Sequence, residues 1–307
     1  MPKVSITYPK PGPTGGVLIR EVIAFTRELG LVLPLSSHIH IAVSGGADSL
    51  AMAHLLITYG RRVVPRNRIH ILHINHGWRG KESDEDSRWV QKLAKSWGVH
   101  FRSVKLPHSA HLMKGESWEN QARRQRKRIF IKVTKGKTDL VFTAHHADDL
   151  AETLLWRLFT GAIETHKGGI LTREGPEVRP LLRVRKQDLR KYLTEEGVQW
   201  REDSTNFEGR FLRSKMRLKL MSLIEELFPR AIEHLGDLAL SAQKKRGKAS
   251  SQPSLRFSET EDLLITFLIS VGVRLRRAHW KGLLKQAAKK DWAGELHFPG
   301  GWRLIKK

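Results

Sequence analysis

The chain has no cysteine among its 307 residues. Disulfides, thiolate zinc sites, iron–sulfur clusters and cysteine nucleophiles are therefore excluded from its chemistry. Long apolar runs are also missing. The longest candidate, Leu263 to Val273, is too short and too interrupted to span a bilayer. Residues 1–16 are rich in Pro and Gly and hold no apolar signal core. A cytoplasmic protein with no membrane attachment is expected. Acidic residues are scarce: 31 Asp and Glu stand against 55 Lys and Arg, a formal charge of +24. An excess of that size points to a polyanionic partner, nucleic acid before a membrane surface. The length allows two domains, each with its own core.

What the chain does contain is organised around residues 38–56. Alternating Ile39, Ile41 and Val43 have the period of a strand, and Leu50 to Leu56 are good helix formers. Between them run Ser44, Gly45, Gly46, Ala47, Asp48 and Ser49. A strand that turns through glycines into a helix start aims free N–H groups and the positive end of a dipole at one point. An anion suits that point, and the glycines let a phosphate approach the backbone. The plain alternative is a tight turn with Asp48 or Ser49 capping the helix. The mononucleotide P-loop is not met: the one near-match, at Gly136-Lys137-Thr138, has Ile131 where a glycine is required.

Further strands are expected at Ile69 to Asn75, His100 to Leu106 and Asp139 to Ala144, with helices at 17–31, 84–97, 117–133, 186–196 and 230–245. Strands alternating with helices at these spacings predict βαβ units and a parallel sheet, an α/β fold. Ser44–Ser49, Asn75–Arg79 and His145–Asp149 each follow a strand, so they would line one crevice at the carboxyl ends. The expected organisation is a flexible arm (1–16), an α/β domain with a helical extension (17–229) and a small α+β domain (230–307). Lys244 to Ser254 is the linker candidate, and residues 294–307 read as a hairpin. His70, His73 and His76 suggest zinc, but their steps along a strand point them different ways.

The string Ser-Gly-Gly-Ala-Asp-Ser resembles the pyrophosphate loop of the PP-loop (N-type) ATP pyrophosphatases. Other segments narrow the resemblance. His73-Ile74-Asn75-His76-Gly77-Trp78-Arg79-Gly80 is similar to HxNHGLRG, and Glu119 with Ala122, Arg123 and Arg126 to E-x-x-A-R-x-x-R. His145-His146-Ala147-Asp148-Asp149 with Glu152-Thr153 is similar to AHHxDDxxET. With Arg179-Pro180-Leu181-Leu182 and Glu202 to Asn206, they follow the order of the bacterial tRNA(Ile)-lysidine synthetase family, and the length resembles its short form.

That resemblance implies a reaction. ATP adenylates C2–O of the wobble cytidine in the CAU anticodon of an isoleucine tRNA, and free lysine displaces AMP. Ser44 to Ser49 would hold pyrophosphate, with Mg2+ bridging its charge and Asp48 a ligand or a helper to the base. Arg123 or Arg126 would neutralise the α-phosphate, since a guanidinium binds phosphate in two places. Asp149, and secondarily Asp148, would orient the attacking amine or take its proton. Capping of the helix that carries Glu152 suits Asp148 better than Asp149. His145 and His146 would meet the nucleotide or the base, and a homodimer is implied. Two departures stand out, Trp78 for Leu and Glu164-Thr165-His166 within a Gly-rich segment. They leave open an enzyme that attaches another amine to tRNA cytidine, and a paralogue that only binds tRNA is the other alternative. The 2-thiolation branch needs cysteines or a cluster and is set aside.

Overall fold

Four strands pair in parallel at the centre of the fold, which is described by a computed structural model. It covers residues 9–31, 33–34, 36–75, 77, 80–106, 118–134, 138–161, 169–201, 212–248, 294–298 and 302–306. The central strands are β1 (Ile39–Ala42), β2 (Ile69–Asn75), β3 (His100–Lys105) and β4 (Leu140–Phe142). Two short strands follow, β5 (Arg173–Glu174) and β6 (Glu177–Val178). The order across the sheet is β3-β2-β1-β4-β6-β5, parallel throughout except where β5 turns back on β6 at the edge. Ile39, Ile41, Ile71, Val141 and Phe142 are fully buried, as expected for parallel strands covered on both faces.

The crossovers are helical: α2 (Ala47–Tyr59), α3 (Lys81–Ser96) and α4 (Trp118–Val133), with α5 (Ala147–Phe159) leaving β4. The chain moves outward from β1 to β3, then returns to the other side of β1 as β4. Strand order thus reverses beside β1, and such a switch point leaves a crevice at the carboxyl ends of the two strands that flank it. The loops after β1 and β4 therefore meet. Helix α2 is buried along most of its length because it lies under α1 (Pro13–Glu28) and α6 (Lys186–Glu195).

Helix α1 begins four residues earlier than its expected start at residue 17, so the arm expected over 1–16 is helical from Pro13. Pro13 sits in the first helical turn, where its fixed φ fits and its missing N–H costs nothing. Gly15 and Gly16 are not breakers here. Both are buried, and a Cβ on Gly15 would lie 2.9 Å from the Tyr192 ring. The glycine is there for close approach. Tyr192 is itself fixed by a 2.7 Å hydrogen bond between its hydroxyl and His54 Nδ1.

After α6 come α7 (Leu212–Lys215), a π-helical turn over Met216–Met221, α8 (Ser222–Leu227) and α9 (Ala231–Lys248). Helix α9 runs to Lys248, past Lys244, which corrects the start of the expected linker. The chain divides into two units, Met1–Glu152 with Leu171–Gly236, and Thr153–Ile170 with Asp237–Lys307. In the second, Arg157 donates to Gly169 O (2.7 Å) and Gln243 to Ile170 O (2.8 Å). It ends in the expected antiparallel hairpin of β7 (Gly294–Phe298) and β8 (Trp302–Lys306). Residues 1–8, most of the linker and residues 255–293 lie outside the described residues. Among the described residues no helix is long and apolar enough to cross a membrane.

Gly15→Ala tests the α1–Tyr192 contact. Alanine is the better helix former by about 1 kcal/mol, yet its methyl must displace a fixed ring. Urea unfolding should show a net loss of about 1–3 kcal/mol; a stabilised variant would mean that Tyr192 moves freely.

Candidate active site

The turn after β1 is shaped by its glycines and serines. Gly45 takes φ +108, which only glycine adopts without strain. Ser44 and Ser49 hold the turn closed: Ser44 N donates to Ser49 Oγ (3.2 Å), and Ser49 Oγ donates to Gly46 O (3.0 Å). The first i→i−4 bond of α2 is from Leu50 N to Gly46 O, at 3.1 Å. The N–H groups of Ala47, Asp48 and Ser49 thus precede any intrahelical acceptor, an anion-binding arrangement. Asp48 does not cap this helix. Its Oδ2 lies 3.6 Å from His146 Nε2, and its Oδ1 is buried with no hydrogen-bond partner among the described residues.

The turn after β4 brings His146 to this point. The ring is 3% exposed and lies among three carboxylates. Nε2 is 3.6 Å from Asp48 and 3.4 Å from Asp149, and Nδ1 is 3.5 Å from Asp148. Burial alone would strip its proton. The charge of Asp149 and hydrogen bonds to Asp148 and Asp48 outweigh burial and push the pKa up to about 10. Burial likewise works against ionisation of Asp48, but the hydrogen bond and charge of His146 hold it below the usual carboxylate range. Asp149 is raised, chiefly by burial and further by Asp48.

The paired aspartates have exchanged their expected structural roles. Asp149 ties down the start of α5 by accepting from His146 N at 3.1 Å. Asp148 turns away to the start of α6, where it accepts from Lys186 N (2.8 Å) and pairs with Arg185 Nη2 (3.2 Å). Burial raises Asp148, yet His146, Lys186 N and Arg185 hold it far below the usual range. Arg185 also reaches Glu225 of α8 and, at 3.0 Å, Glu233 of α9.

On the other side of β4 lies a group rich in guanidinium. Arg179 is 2% exposed and pairs with Glu177 at 2.8 Å; Glu177 accepts from Thr143 Oγ1 at 2.9 Å; Thr143 Oγ1 is 3.2 Å from His145 Nδ1. Arg126 on α4 is half-buried, with its Nε unpartnered among the described residues, and Arg123 is exposed. Burial, then Arg179 and Arg126, lower the His145 pKa well below its ordinary value. The two neighbouring histidines are therefore opposite in kind, one an internal cation and the other neutral. Behind α5, buried Glu152 accepts from Arg213 Nε (2.7 Å) and Arg217 Nε (2.6 Å). Burial disfavours its charge, and the two arginines more than compensate.

Arg185, Arg213, Arg217, Glu177 and the role of Arg179 were not identified from the sequence. The i, i+4 spacing of Arg213 and Arg217 was visible, but their partner lies about sixty residues earlier. His70 and His73 have different surroundings: His73 Nδ1 meets Val43 O at 2.8 Å, and the His70 ring packs at tilted or edge-on angles against His38, His40 and His100. Among the described residues no group of three or more metal-binding side chains could hold an ion alone. His76, Trp78, Arg79, Glu164–His166, Glu202–Asn206 and the Glu119 side chain lie outside the described residues.

Residues 21–224 match the family model described as the PP-loop domain. A curated tRNA(Ile)-lysidine synthase from Bacteroides thetaiotaomicron is 30% identical over 94% of this chain and 69% of its own length. The chain belongs to the tRNA(Ile)-lysidine synthase family. A member from Thermus thermophilus is 36% identical over 77% of this chain and 45% of its own, and one from Geobacter sulfurreducens is 35% identical over 72% and 47%. The chain thus spans about half the length of these two relatives. Among solved structures, the U34-tRNA thiolase NcsA from Methanococcus maripaludis, with its [4Fe-4S] cluster, shares the fold. The TM-score is 0.62 at 17% identity, over 75% of this chain and 80% of that one. The chain of this lysidine synthase family member has no cysteine with which to hold such a cluster.

The His146 cluster has a pH signature. A group whose pKa rises from 6.5 unfolded to about 10 folded stabilises fully below 6.5 and loses that stability as pH climbs through 10. Wild-type unfolding free energy should fall across this window with a slope approaching about 1.4 kcal/mol per pH unit. His146→Gln should flatten the slope and cost about 3 kcal/mol near neutrality. An unchanged slope in the variant would remove the cation from His146.

Proposed function

We propose that this chain is an ATP-dependent carbon–nitrogen ligase that converts the wobble cytidine of a CAU-anticodon isoleucine tRNA to lysidine. The observation that carries the reading is the meeting of the phosphate-type turn, Ser44–Ser49, with the carboxylates of Asp48 and Asp149 around one buried cation. A leaving-group pocket and a proton acceptor then share one crevice. The family relationship and the +24 charge supply the substrate class.

In the proposed first step, C2–O of the cytidine attacks the α-phosphorus of ATP and the bond to pyrophosphate breaks. The free N–H groups of Ala47, Asp48 and Ser49 receive the leaving group. Arg126, with Arg123 nearer solvent, neutralises charge at the α-phosphate. The unpartnered Asp48 Oδ1 fits a Mg2+ ligand, because magnesium is commonly held by one carboxylate plus substrate phosphates. When bound, the ion would offset charge on the departing pyrophosphate. In the second step the ε-amine of lysine forms a bond to C2, and the C2–O bond breaks to release AMP. Asp149, with its raised pKa, takes the amine's proton. Asp148 serves as a positioning residue, since its oxygens are occupied by Lys186 N and Arg185.

Residues 17–229 are assigned to this chemistry and residues 230–307 to gripping tRNA, in the cytoplasm. Phosphate contacts by so basic a chain make tRNA affinity fall steeply with salt.

The reading is tested by mass spectrometry of the wobble nucleoside after incubating CAU tRNA, ATP and a mixture of amines with the protein. Lysine should be the adduct. Asp48→Asn and Asp149→Asn should each lower its rate by at least about a hundredfold. A different adduct would reassign the amine, and undiminished transfer by Asp48→Asn would remove the catalytic role. Separately, deleting residues 249–307, which keeps α9 and the Arg185–Glu233 pair, should weaken tRNA binding more than ATP binding; equal losses would withdraw the assignment of that region.

A further inference from the structure

A chain of hydrogen bonds ending at His145 determines which of its ring nitrogens carries the proton. The guanidinium of Arg179 is anchored by donating to Leu171 O at 2.7 Å and to Glu177 Oε2 at 2.8 Å. Glu177 is 3% exposed, and as a carboxylate paired with a guanidinium it can only accept. Its Oε1 takes the hydroxyl proton of Thr143, at 2.9 Å. A hydroxyl has one proton to give, so Thr143 Oγ1 has only acceptor capacity left for His145 Nδ1, 3.2 Å away. His145 must then be the donor, through Nδ1–H. Burial and the charges of Arg179, Arg126 and Arg123 keep the ring neutral, so it holds that single proton. Nε2 is left with a lone pair, and among the described residues it has no hydrogen-bond partner.

A bare acceptor beside three guanidinium groups is selective. An ammonium ion would be repelled by Arg123, Arg126 and Arg179. A carbonyl oxygen would meet Nε2 lone pair against lone pair. A neutral N–H donor incurs neither penalty. We propose that His145 Nε2 accepts a hydrogen bond from the exocyclic amino group of a nucleobase, the feature that separates cytosine from uracil and adenine from hypoxanthine. Arg179, Glu177 and Thr143 are positioning residues that set the tautomer. The proposal rests on the reading of this crevice as the site of an ATP-dependent tRNA ligase. Cytosine of the tRNA and adenine of ATP are its two sources of such a group. A site built to bind an N–H group discriminates strongly against the analogue that lacks it, because the site's own polar atom is then left unpaired.

Nitrogen-15 NMR of the histidine rings in the full chain tests the tautomer directly. The His145 signals should show Nδ1 protonated and Nε2 bare. In Glu177→Gln the new amide can donate to Thr143, freeing the hydroxyl proton toward His145 and moving the ring proton to Nε2. Equilibrium binding then identifies the base. One arm compares ATP with purine riboside triphosphate; the other compares CAU transcripts carrying cytidine or pyrimidin-2-one riboside at the wobble position. Wild type should prefer the amino-bearing partner by about fivefold to tenfold on one arm. His145→Ala and Glu177→Gln should erase that preference. Preference on the first arm identifies adenine, on the second cytosine. A protonated Nε2 in the wild type, or no preference on either arm, or a preference that survives both substitutions, overturns the proposal. Binding requires no turnover, so failure to form lysidine with the preference intact would reject the function while leaving this role standing. Should either variant fail to fold, the wild-type tautomer and wild-type preferences decide.

Discussion

The site depends on one buried positive charge. His146 is enclosed by Asp48, Asp148 and Asp149, which come from two loops and could not stay ionised together without it. Its proton serves as an internal counter-ion. It holds the phosphate-type turn against the start of α5, and it lets a carboxylate stand beside a pocket meant for anions. Asp48, which looked out of place next to a phosphate loop, is explained by this partner. Through Asp148 the same charge reaches Arg185, and from there Glu225 and Glu233, so the helices after α6 are tied to the loop after β4.

A second polar network lies on the other side of β4 and has the opposite character. Arginines dominate it, its histidine is neutral, and Glu177 is fully engaged by Arg179 and Thr143. The two networks meet at the dipeptide His145-His146. One backbone step separates a ring held among carboxylates from a ring that feels the charge of three guanidiniums. In the proposed reaction this gives the crevice a side for pyrophosphate and proton transfer and a side for the α-phosphate and the base.

Much of this was legible in the sequence because it is local. Strand period, glycine turn and helix formers predicted β1, the turn and α2; repeated alternation predicted the parallel sheet; and the ends of β1 and β4 marked the crevice. The remainder depends on partners distant in sequence. Asp148 was the natural cap for the helix that follows it, but Lys186 N and Arg185, which no periodicity links to residue 148, claimed it and left α5 to Asp149. Gly15 reads as part of an irregular arm because the ring it admits, Tyr192, lies far along the chain. Strands β5 and β6 have two residues each, too few to show any period, yet Glu177 and Arg179 sit on and beside them.

The reversal of strand order beside β1 also has a consequence for how the molecule assembles. Asp48 and His146 are separated by nearly a hundred residues and touch only once β4 has docked against β1. The crevice cannot form in a fragment that holds only the first three strands, and closing so long a loop makes this contact a late, entropically costly one. Any ligand that bridges the two loops therefore stabilises the pairing of β1 with β4 as well as the loops themselves. Occupancy of the site is in that sense a measure of whether the sheet has closed.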